Sequence, residues 1–184
     1  MNWTLVSLEA TVPQPWRNGG GLTRELLVWP GGEVWKARLS VADVNASGPF
    51  SRFDRIERWF AVLEGAGVEL RIGGGRQQLT TDSAPLRFSG EAPVDCTLVD
   101  GPTRDFNLMA APGCGSLRRV NGQLAVAVEG EALLGLYTHA NPARLNILET
   151  AIEVPAYHLA WCHRTWRASG VVTGAGALWL QVRP

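Results

Sequence analysis

Two segments of the chain carry polar residues that could bind a small molecule. The segment DGPTRDFNLMAAPG contributes Arg104, Asp105 and Asn107, and the segment ARLSV contributes Arg38 and Ser40. Arginine and asparagine donate hydrogen bonds to carboxylates, and arginine can donate two parallel bonds to one group. We therefore expect a pocket for a polar anion, with Arg38 or Arg104 as the clamp. A purely structural network at the mouth of a barrel is the alternative.

A glycine-rich loop, PWRNGGGLTREL, is the third polar segment. Its glycines, residues 19–21, allow positive φ values and a close approach of the backbone. No Gly-Lys-Ser/Thr follows, and the G-x-G-x-x-G pattern that opens a βαβ unit is missing, so it is not a nucleotide loop. We expect it to close over a ligand beside Asn18, Gly20, Thr23 and Glu25. A plain turn between strands is the alternative.

Catalytic chemistry is the second hypothesis, and its residues are left unassigned. Glu25 or Asp105 could serve as the general base of a metal-free isomerase or hydrolase. No G-x-S-x-G elbow supplies a nucleophile, and Cys96 lies in an apolar segment, where cysteine is usually inert. A third hypothesis is a protein–protein regulator with exposed tryptophans, since the chain has eight of them.

The histidines do not form a metal-binding pattern. His139, His158 and His163 show neither H-x-H nor H-x-x-x-H spacing. We therefore predict no bound metal and no cofactor. Elemental analysis of protein purified without a histidine tag tests this, and one zinc, iron or manganese per chain would contradict it.

Short strands must position these side chains. From Trp35 to Val41 apolar and polar residues alternate, and further strands are predicted at 22–29, 58–63, 68–72, 86–88, 94–99, 106–109, 124–128, 133–137, 145–148, 157–161 and 177–182. Glycine-containing turns are expected at Glu64-Gly65 and Glu129-Gly130. No helix longer than two or three turns is evident, so the pattern predicts an all-β sandwich or barrel.

Composition excludes several classes of protein. The 184 residues include 17 basic and 17 acidic ones, so the basic footprint of a nucleic-acid-binding protein is missing. No stretch approaches the roughly 20 apolar residues of a membrane helix, and the first residues do not resemble a signal peptide. Three scattered cysteines, Cys96, Cys114 and Cys162, are typical of free thiols in a reducing compartment. We expect a cytoplasmic protein with no nucleic-acid or membrane partner.

Four segments together resemble the HutD/Ves family: PWRNGGGLTREL, ARLSVADVNASGPFSRF, VLEGAGVEL and DGPTRDFNLM. The resemblance covers residues 3–113 well and the rest loosely. It implies a bicupin, two small jelly-roll-like β-barrels in one chain. We expect an N-terminal barrel with the pocket over residues 1–113 and a mainly structural half over 114–184, with strands that can exchange between them.

The resemblance also implies a role. The family is associated with bacterial histidine utilisation and has no firmly attached reaction. We therefore expect binding of a small carboxylate metabolite, with urocanate and formylglutamate as candidates, that modulates the pathway. A homodimer is left open by the sequence.

The family comparison adds two further expectations. Metal-bearing cupins carry H-x-H near Asp54–Arg58 and a histidine near Asp95, whereas this chain has none there. Phe53-Asp54-Arg55 replaces the usual Phe-Pro-Gly, which alters a turn, and Ala37 replaces a tryptophan, which we expect to reshape the wall near Arg38.

Overall fold

The computed structural model describes residues 2–32, 34–148 and 150–183, and within these ranges it contains strands and no helix. The all-β prediction is therefore confirmed. The strands in chain order are β1 (Thr4–Ser7), β2 (Gln14–Pro15), β3 (Gly21–Trp29), β4 (Ala37–Val44), β5 (Gly48–Pro49), β6 (Glu57–Glu64), β7 (Val68–Ile72), β8 (Gly75–Leu79), β9 (Leu86–Ser89), β10 (Val94–Leu98), β11 (Thr103–Ala110), β12 (Gly115–Thr138), β13 (Ala143–Ile147), β14 (Thr150–Val154) and β15 (His158–Val182).

The chain divides into two compact units. One comprises Val12–Gly113, and the other comprises Met1–Thr11 together with Cys114–Pro184. β1, which lies within the range 1–113 expected for the N-terminal barrel, groups with the C-terminal unit. It does so because β1 pairs antiparallel with β15, from Thr4 opposite Trp161 to Ser7 opposite His158.

The unit Val12–Gly113 contains two antiparallel sheets. One has the order β2-β3-β4-β11-β6-β9, and the other has the order β5-β10-β7-β8. Buried side chains of both sheets form one apolar cluster, including Phe60 and Val62 of β6, Val68 and Leu70 of β7, and Cys96 of β10. The two sheets therefore pack face to face, and the inward residues of β4, β6 and β11 look into the space between them.

The other unit is built on two long strands. β12 and β15 pair along their length, and residues 133–137 pair with 159–163 on one side and with 178–182 on the other. Its core contains Trp166 and Trp179 with Leu134, Leu136 and Leu145. The turn expected at Glu129-Gly130 is absent, because β12 continues through it in register with β15 and Gly130 takes a φ of 87° inside the strand.

Candidate functional site

A cavity of about 450 Å³ lies in the unit Val12–Gly113, within the size range of small-molecule sites. Its charged lining residues are Arg17, Arg38 and Arg58, and no Asp, Glu, His or Cys is among the described residues that line it. Its polar lining consists of Asn18, Thr23, Ser40, Ser51 and Asn107. Its aromatic lining consists of Trp16, Phe50, Phe53 and Phe60. The cavity is thus positively charged with partly apolar walls.

Arg58, at the start of β6, is the most deeply buried charge of the cavity, with 6% of the residue exposed. Its Nη2 donates to Asn107 Oδ1 at 2.8 Å, and its Nη1 donates to the Ser51 carbonyl oxygen at 3.3 Å. Its Nε is buried without a hydrogen-bond partner. Both acceptors are neutral, so within the described part of the chain this guanidinium group is stabilised by dipoles and aromatic rings and not by a counter-charge.

Aromatic rings surround the Arg58 guanidinium group. Its Cζ lies 5.1 Å from the ring centroid of Phe50, 5.8 Å from that of Phe53 and 5.2 Å from that of Phe88. Ring faces attract a cation, which compensates part of the cost of burial. Burial, and then the positive charge of Arg38, lower the pKa of Arg58 to about 10, so it remains protonated at neutral pH.

Strand register brings the cavity residues together. Met109 of β11 pairs with Arg38 of β4 on one side and with Arg58 of β6 on the other. Two residues along β11, Asn107 pairs with Ser40 and with Phe60. Residues opposite one another, and residues two apart, share a face of the sheet. The sheet therefore presents two rows of inward side chains to the cavity.

Arg38 is held from the neighbouring strand. Its Nε donates to Glu25 Oε2 at 2.6 Å, and both side chains are about one-third exposed, at 29% and 33%. Glu25 belongs to β3, on the far side of β4 from Arg58, and it does not line the cavity. The ion pair thus orients Arg38 rather than placing a carboxylate in the cavity.

The glycine-rich loop forms one rim of the cavity. Trp16 Nε1 donates to Thr23 Oγ1 at 2.7 Å, and the backbone N–H of Gly20 donates to Asn18 Oδ1 at 3.0 Å. A Cβ at Gly21 would overlap the Asp43 carbonyl oxygen and press on the Trp16 ring. Trp16, Asn18 and Thr23 line the cavity, whereas Gly20 is not among its lining residues, and its carbonyl oxygen accepts from the backbone N–H of Asn45 at 2.9 Å. Close approach of the backbone is therefore what this loop requires of glycine.

Arg104, which the sequence analysis expects beside Arg38, is not among the described residues that line this cavity. Side chains alternate along β11, so the face that carries Asn107 cannot also carry Arg104. Arg104 Nε instead donates to Asp43 Oδ1 at 2.6 Å, and its Nη1 lies 3.4 Å from Glu64 Oε2. Burial raises the pKa of Asp43, but hydrogen bonds from Arg104 and Arg24 outweigh it, and the net pKa lies below its usual value.

Asp105 lies deeper than the cavity and does not line it. It is fully buried, at 0% exposure, and its Oδ2 accepts from Thr103 Oγ1 at 2.8 Å while its Oδ1 has no partner. Burial and the charge of Asp43 raise the pKa of Asp105 to about 7, against the lowering effect of the Thr103 hydrogen bond. Burial, with the charge of Asp105, raises the pKa of the Cys96 thiol to about 12.

The two departures from the family pattern, Ala37 and the turn at Asp54-Arg55, lie at different places in the unit Val12–Gly113. Ala37 is fully buried, next to Arg38 on β4 and on the opposite face, and it is not among the described residues that line the cavity. Arg55 has a φ of 57°, and its backbone N–H donates to Glu91 Oε1 at 2.8 Å. A left-handed backbone is where glycine is favoured, so Arg55 occupies a strained turn position.

The cavity does not suit a metal ion. Within the segment Asp54–Arg58, where the resemblance to cupins implies the first metal ligands, the Arg58 guanidinium group lines the cavity. Among the described residues, no group of three or more His, Cys, Asp or Glu is arranged to hold a metal. His139 is buried beside Tyr137, and His163 lies 3.1 Å from Glu131, both outside this unit. A cationic lining disfavours a further cation.

The cavity lining includes five residues that the sequence analysis names as candidate ligand contacts, Asn18, Thr23, Arg38, Ser40 and Asn107. It also includes Arg58, which the sequence analysis does not name. The available signal was an arginine at the start of the apolar run RWFAVL. A charged residue in a strand that the fold buries needs a solvating or binding partner. Which face it points to depends on the pairing of β6 with β11.

Two antiparallel β-units in one chain, the first with a cavity, define a bicupin. The profile of the family described as HutD matches residues 9–180, and the chain belongs to this family. HutD from Pseudomonas fluorescens SBW25, in a structure titled "Formate condition", is 27% identical, with full coverage of both chains and a TM-score of 0.84. A conserved protein of unknown function from Pseudomonas aeruginosa PAO1 is 30% identical over 98% of this chain and 97% of that one, with a TM-score of 0.81.

A Pseudomonas putida protein is 42% identical over 102 residues, which are 53% of each chain. It is described as an uncharacterized 21.2 kDa protein in the hutC 3' region. The chain spans about half the length of the curated relatives it matches. In the described ranges, no helix has the length and apolar character needed to cross a membrane.

Proposed function

We propose that this protein binds a small carboxylate metabolite in the cavity of the unit Val12–Gly113 and thereby modulates histidine utilisation. The observation that carries the proposal is Arg58, a buried cation that lines the cavity and has no acidic partner among the residues that the structure describes. The family and the hutC-region relative support the metabolic context and leave urocanate and formylglutamate as candidates.

Electrostatics favours an anion at Arg58. Burying a charge is costly unless it is paired, and apolar replacements of buried ionic groups are often more stable. Arg38 adds repulsion, since its positive charge lowers the pKa of Arg58. A carboxylate in the cavity would supply the missing counter-charge and accept hydrogen bonds from the terminal nitrogens of the guanidinium group. In the free protein the buried charge of Arg58 therefore lowers the stability, and a bound carboxylate would offset this cost.

Binding is better supported than turnover. Of the two general bases considered, Glu25 accepts a hydrogen bond from Arg38 and lies outside the cavity lining. Asp105 is bonded to Thr103 and also lies outside the lining. Neither carboxylate therefore faces a molecule in the cavity, whereas the donors Arg38, Arg58 and Asn107 do.

Thermal unfolding with added ligand tests the proposal. Urocanate or N-formylglutamate is expected to raise the Tm, and the corresponding uncharged amides much less, because each charge-assisted hydrogen bond contributes about 1.5–3 kcal/mol. Two such bonds, about 3–6 kcal/mol together, correspond to dissociation constants from roughly tens of micromolar to several millimolar. The Arg58→Gln variant should lose the shift, and Arg58→Lys should lose much of it, since lysine lacks the planar fork.

The matched control is Arg104→Gln, which removes an arginine of the same unit outside the cavity. It should keep the ligand-induced shift relative to its own baseline. Equal shifts with acid and amide, or a full shift in Arg58→Gln, would overturn the proposal.

A further inference from the structure

We propose that Asp105 makes anion binding in this cavity depend on pH: its carboxyl group takes up a proton as an anion enters, and its ionised form opposes binding. The proposal rests on the carboxylate-binding function proposed above and concerns the regulation of that site. It follows from where the fold places this carboxyl group and from what surrounds it.

Strand register places Asp105 directly behind the wall of the cavity. Alternate residues of β4, from Arg38 to Val44, line the cavity. Asp105 pairs with one of them, Ala42, on one side, and with Val62 of β6 on the other. Directly paired residues on one face of a sheet have Cβ atoms about 4.5–5.5 Å apart. Asp105 also shares the inward face of β11 with Asn107, two residues along, so its carboxyl group lies beside the space that a ligand would fill.

The carboxyl group is poorly compensated in this position. Asp105 is 0% exposed, and Thr103 Oγ1 donates to its Oδ2 at 2.8 Å. Its Oδ1 is buried without a hydrogen-bond partner within the described residues. An ionised carboxylate is costly in an apolar interior, where charges are screened weakly. Its ionisation therefore responds strongly to any further charge that comes near it.

The charged side chains of the same sheet do not neutralise Asp105. Arg38 and Arg58 face inward, but they lie in the row of Met109, four residues along β11. The other charged groups of β4, β6 and β11 lie on the opposite face, where Arg104 contacts Asp43 and Glu64, and Glu57 alternates with Arg58. Burial, and also the negative charge of Asp43, raise the pKa of Asp105 to about 7, against the lowering effect of the Thr103 hydrogen bond.

The opposing sheet adds one titratable group, the Cys96 thiol of β10. Burial, with the charge of Asp105, raises the pKa of this thiol to about 12, so it stays neutral in the physiological range. On β7 and β10, Glu69, Arg71 and Asp95 alternate with the buried residues of these strands and point away from the interior. Near neutral pH, Asp105 is therefore the group that titrates on the inward side.

An anion in the cavity strengthens proton binding by Asp105. An anion held by Arg58 beside Asn107 lies roughly two strand residues from Asp105, about 7–10 Å. At an effective dielectric constant of about 20, repulsion over this distance changes an affinity on the order of tenfold. Linkage is reciprocal, so protonation of Asp105 strengthens anion binding by the same factor. The affinity is therefore highest below about pH 6 and falls as the pH rises through 7 and 8.

Thr103 gives the proton a route from solvent. Besides donating to Asp105, Thr103 lines a second hollow of the unit Val12–Gly113, about 370 Å³ in volume and large enough for water. A hydroxyl group can accept a proton from water while it passes its own proton to Oδ2. Asp105 can thus exchange protons while an anion occupies the cavity.

Calorimetric titration at several pH values tests the coupling. N-formylglutamate is the probe, because its carboxylates stay ionised between about pH 6 and pH 8.5. At constant ionic strength, its affinity for the wild type should fall on the order of tenfold over this range. Near pH 7.5 about half a proton should be taken up per probe bound, measured from the binding enthalpies in two buffers of different ionisation enthalpy. The unit has no histidine, and Arg58, with a pKa of about 10, titrates above this range.

The Asp105→Asn variant should bind the probe at every pH with the affinity that the wild type has at low pH, and without proton uptake. Asp95→Asn, an exposed acid of the same unit, should keep the wild-type pH dependence. The proton uptake of the wild type is measured without any substitution, so it tests the coupling even where a variant does not fold.

The outcomes separate this proposal from the proposed function. Binding that is independent of pH, with no proton uptake, would overturn the coupling and leave carboxylate binding intact. A pH dependence that persists in Asp105→Asn would overturn its assignment to Asp105. No binding of the probe at any pH, together with no ligand-induced Tm shift, would overturn both proposals.

Discussion

The Asp105→Asn substitution replaces a carboxyl group that the fold holds in an apolar interior. Asp105 is fully buried, at 0% exposure, and Thr103 Oγ1 donates to its Oδ2 at 2.8 Å. Burial is the main cause that raises the pKa of Asp105 to about 7, and the negative charge of Asp43 raises it further, against the lowering effect of the Thr103 hydrogen bond. Asparagine has nearly the same shape, can accept the Thr103 hydrogen bond and does not titrate.

The magnitude follows from the two pKa values of this carboxyl group. In the unfolded chain it ionises near its ordinary value of 3.8, and in the folded chain near 7. Between these values the folded state keeps a proton that the unfolded chain has lost. The stabilising contribution is therefore complete below about pH 4 and is lost as the pH rises through about 7. At about 1.4 kcal/mol per pKa unit, the free energy of unfolding of the wild type should fall relative to Asp105→Asn by on the order of 4 kcal/mol.

Urea unfolding of both proteins between about pH 4 and pH 8, followed by tryptophan fluorescence and far-UV circular dichroism, measures this difference. Subtraction of the two curves cancels the titration of the three histidines, which both proteins share. The exposed Asp95→Asn variant should change the pH profile far less, because water screens its charge. A difference between wild type and Asp105→Asn that stays constant over this range would refute the reasoning.

Three further substitutions probe the turn, the loop and the buried charge. Gly21→Ala should lower stability by about 1–3 kcal/mol, because its Cβ would overlap the Asp43 carbonyl oxygen, whereas Gly48→Ala, with open space around its Cβ, should be nearly neutral in the same urea titration. Arg55→Gly should raise the free energy of unfolding by up to about 1 kcal/mol by relieving a φ of 57°, and a decrease would contradict this. Arg58→Met should raise the Tm of the free protein and abolish carboxylate binding, since a buried unpaired charge costs several kcal/mol, and a lower Tm would show that Arg58 stabilises the fold.

The strands of the N-terminal unit could be predicted from local sequence. Alternation over Trp35–Val41 anticipates β4, observed at Ala37–Val44, and the segment Val68–Ile72 coincides with β7. Period-two alternation and glycine turns are local patterns of a few residues, so they can be recognised without knowing which strands pair. The all-β class and the family follow from the same local features.

The extent of the strands in the C-terminal unit depended on tertiary pairing. The sequence predicts a turn at Glu129-Gly130, but β12 runs from Gly115 to Thr138 because it pairs with β15 on both sides of that dipeptide. A glycine with positive φ can occupy either a turn or an irregular position within a strand. Only the pairing partner distinguishes the two.

The sequence by itself determined the all-β class, and it predicted a pocket of arginine, asparagine and serine side chains that included both Asn107 and Arg104. Alternation along β11 places these two residues on opposite faces of the strand. Which face borders the cavity was decided by the tertiary structure. The register of β6, β11 and β4 sets Arg58, Met109 and Arg38 in one row, and leaves Arg104 with Asp43. The physical reason is that register is set by strands distant in the sequence, and a shift of one residue would turn every side chain of a strand to the other face.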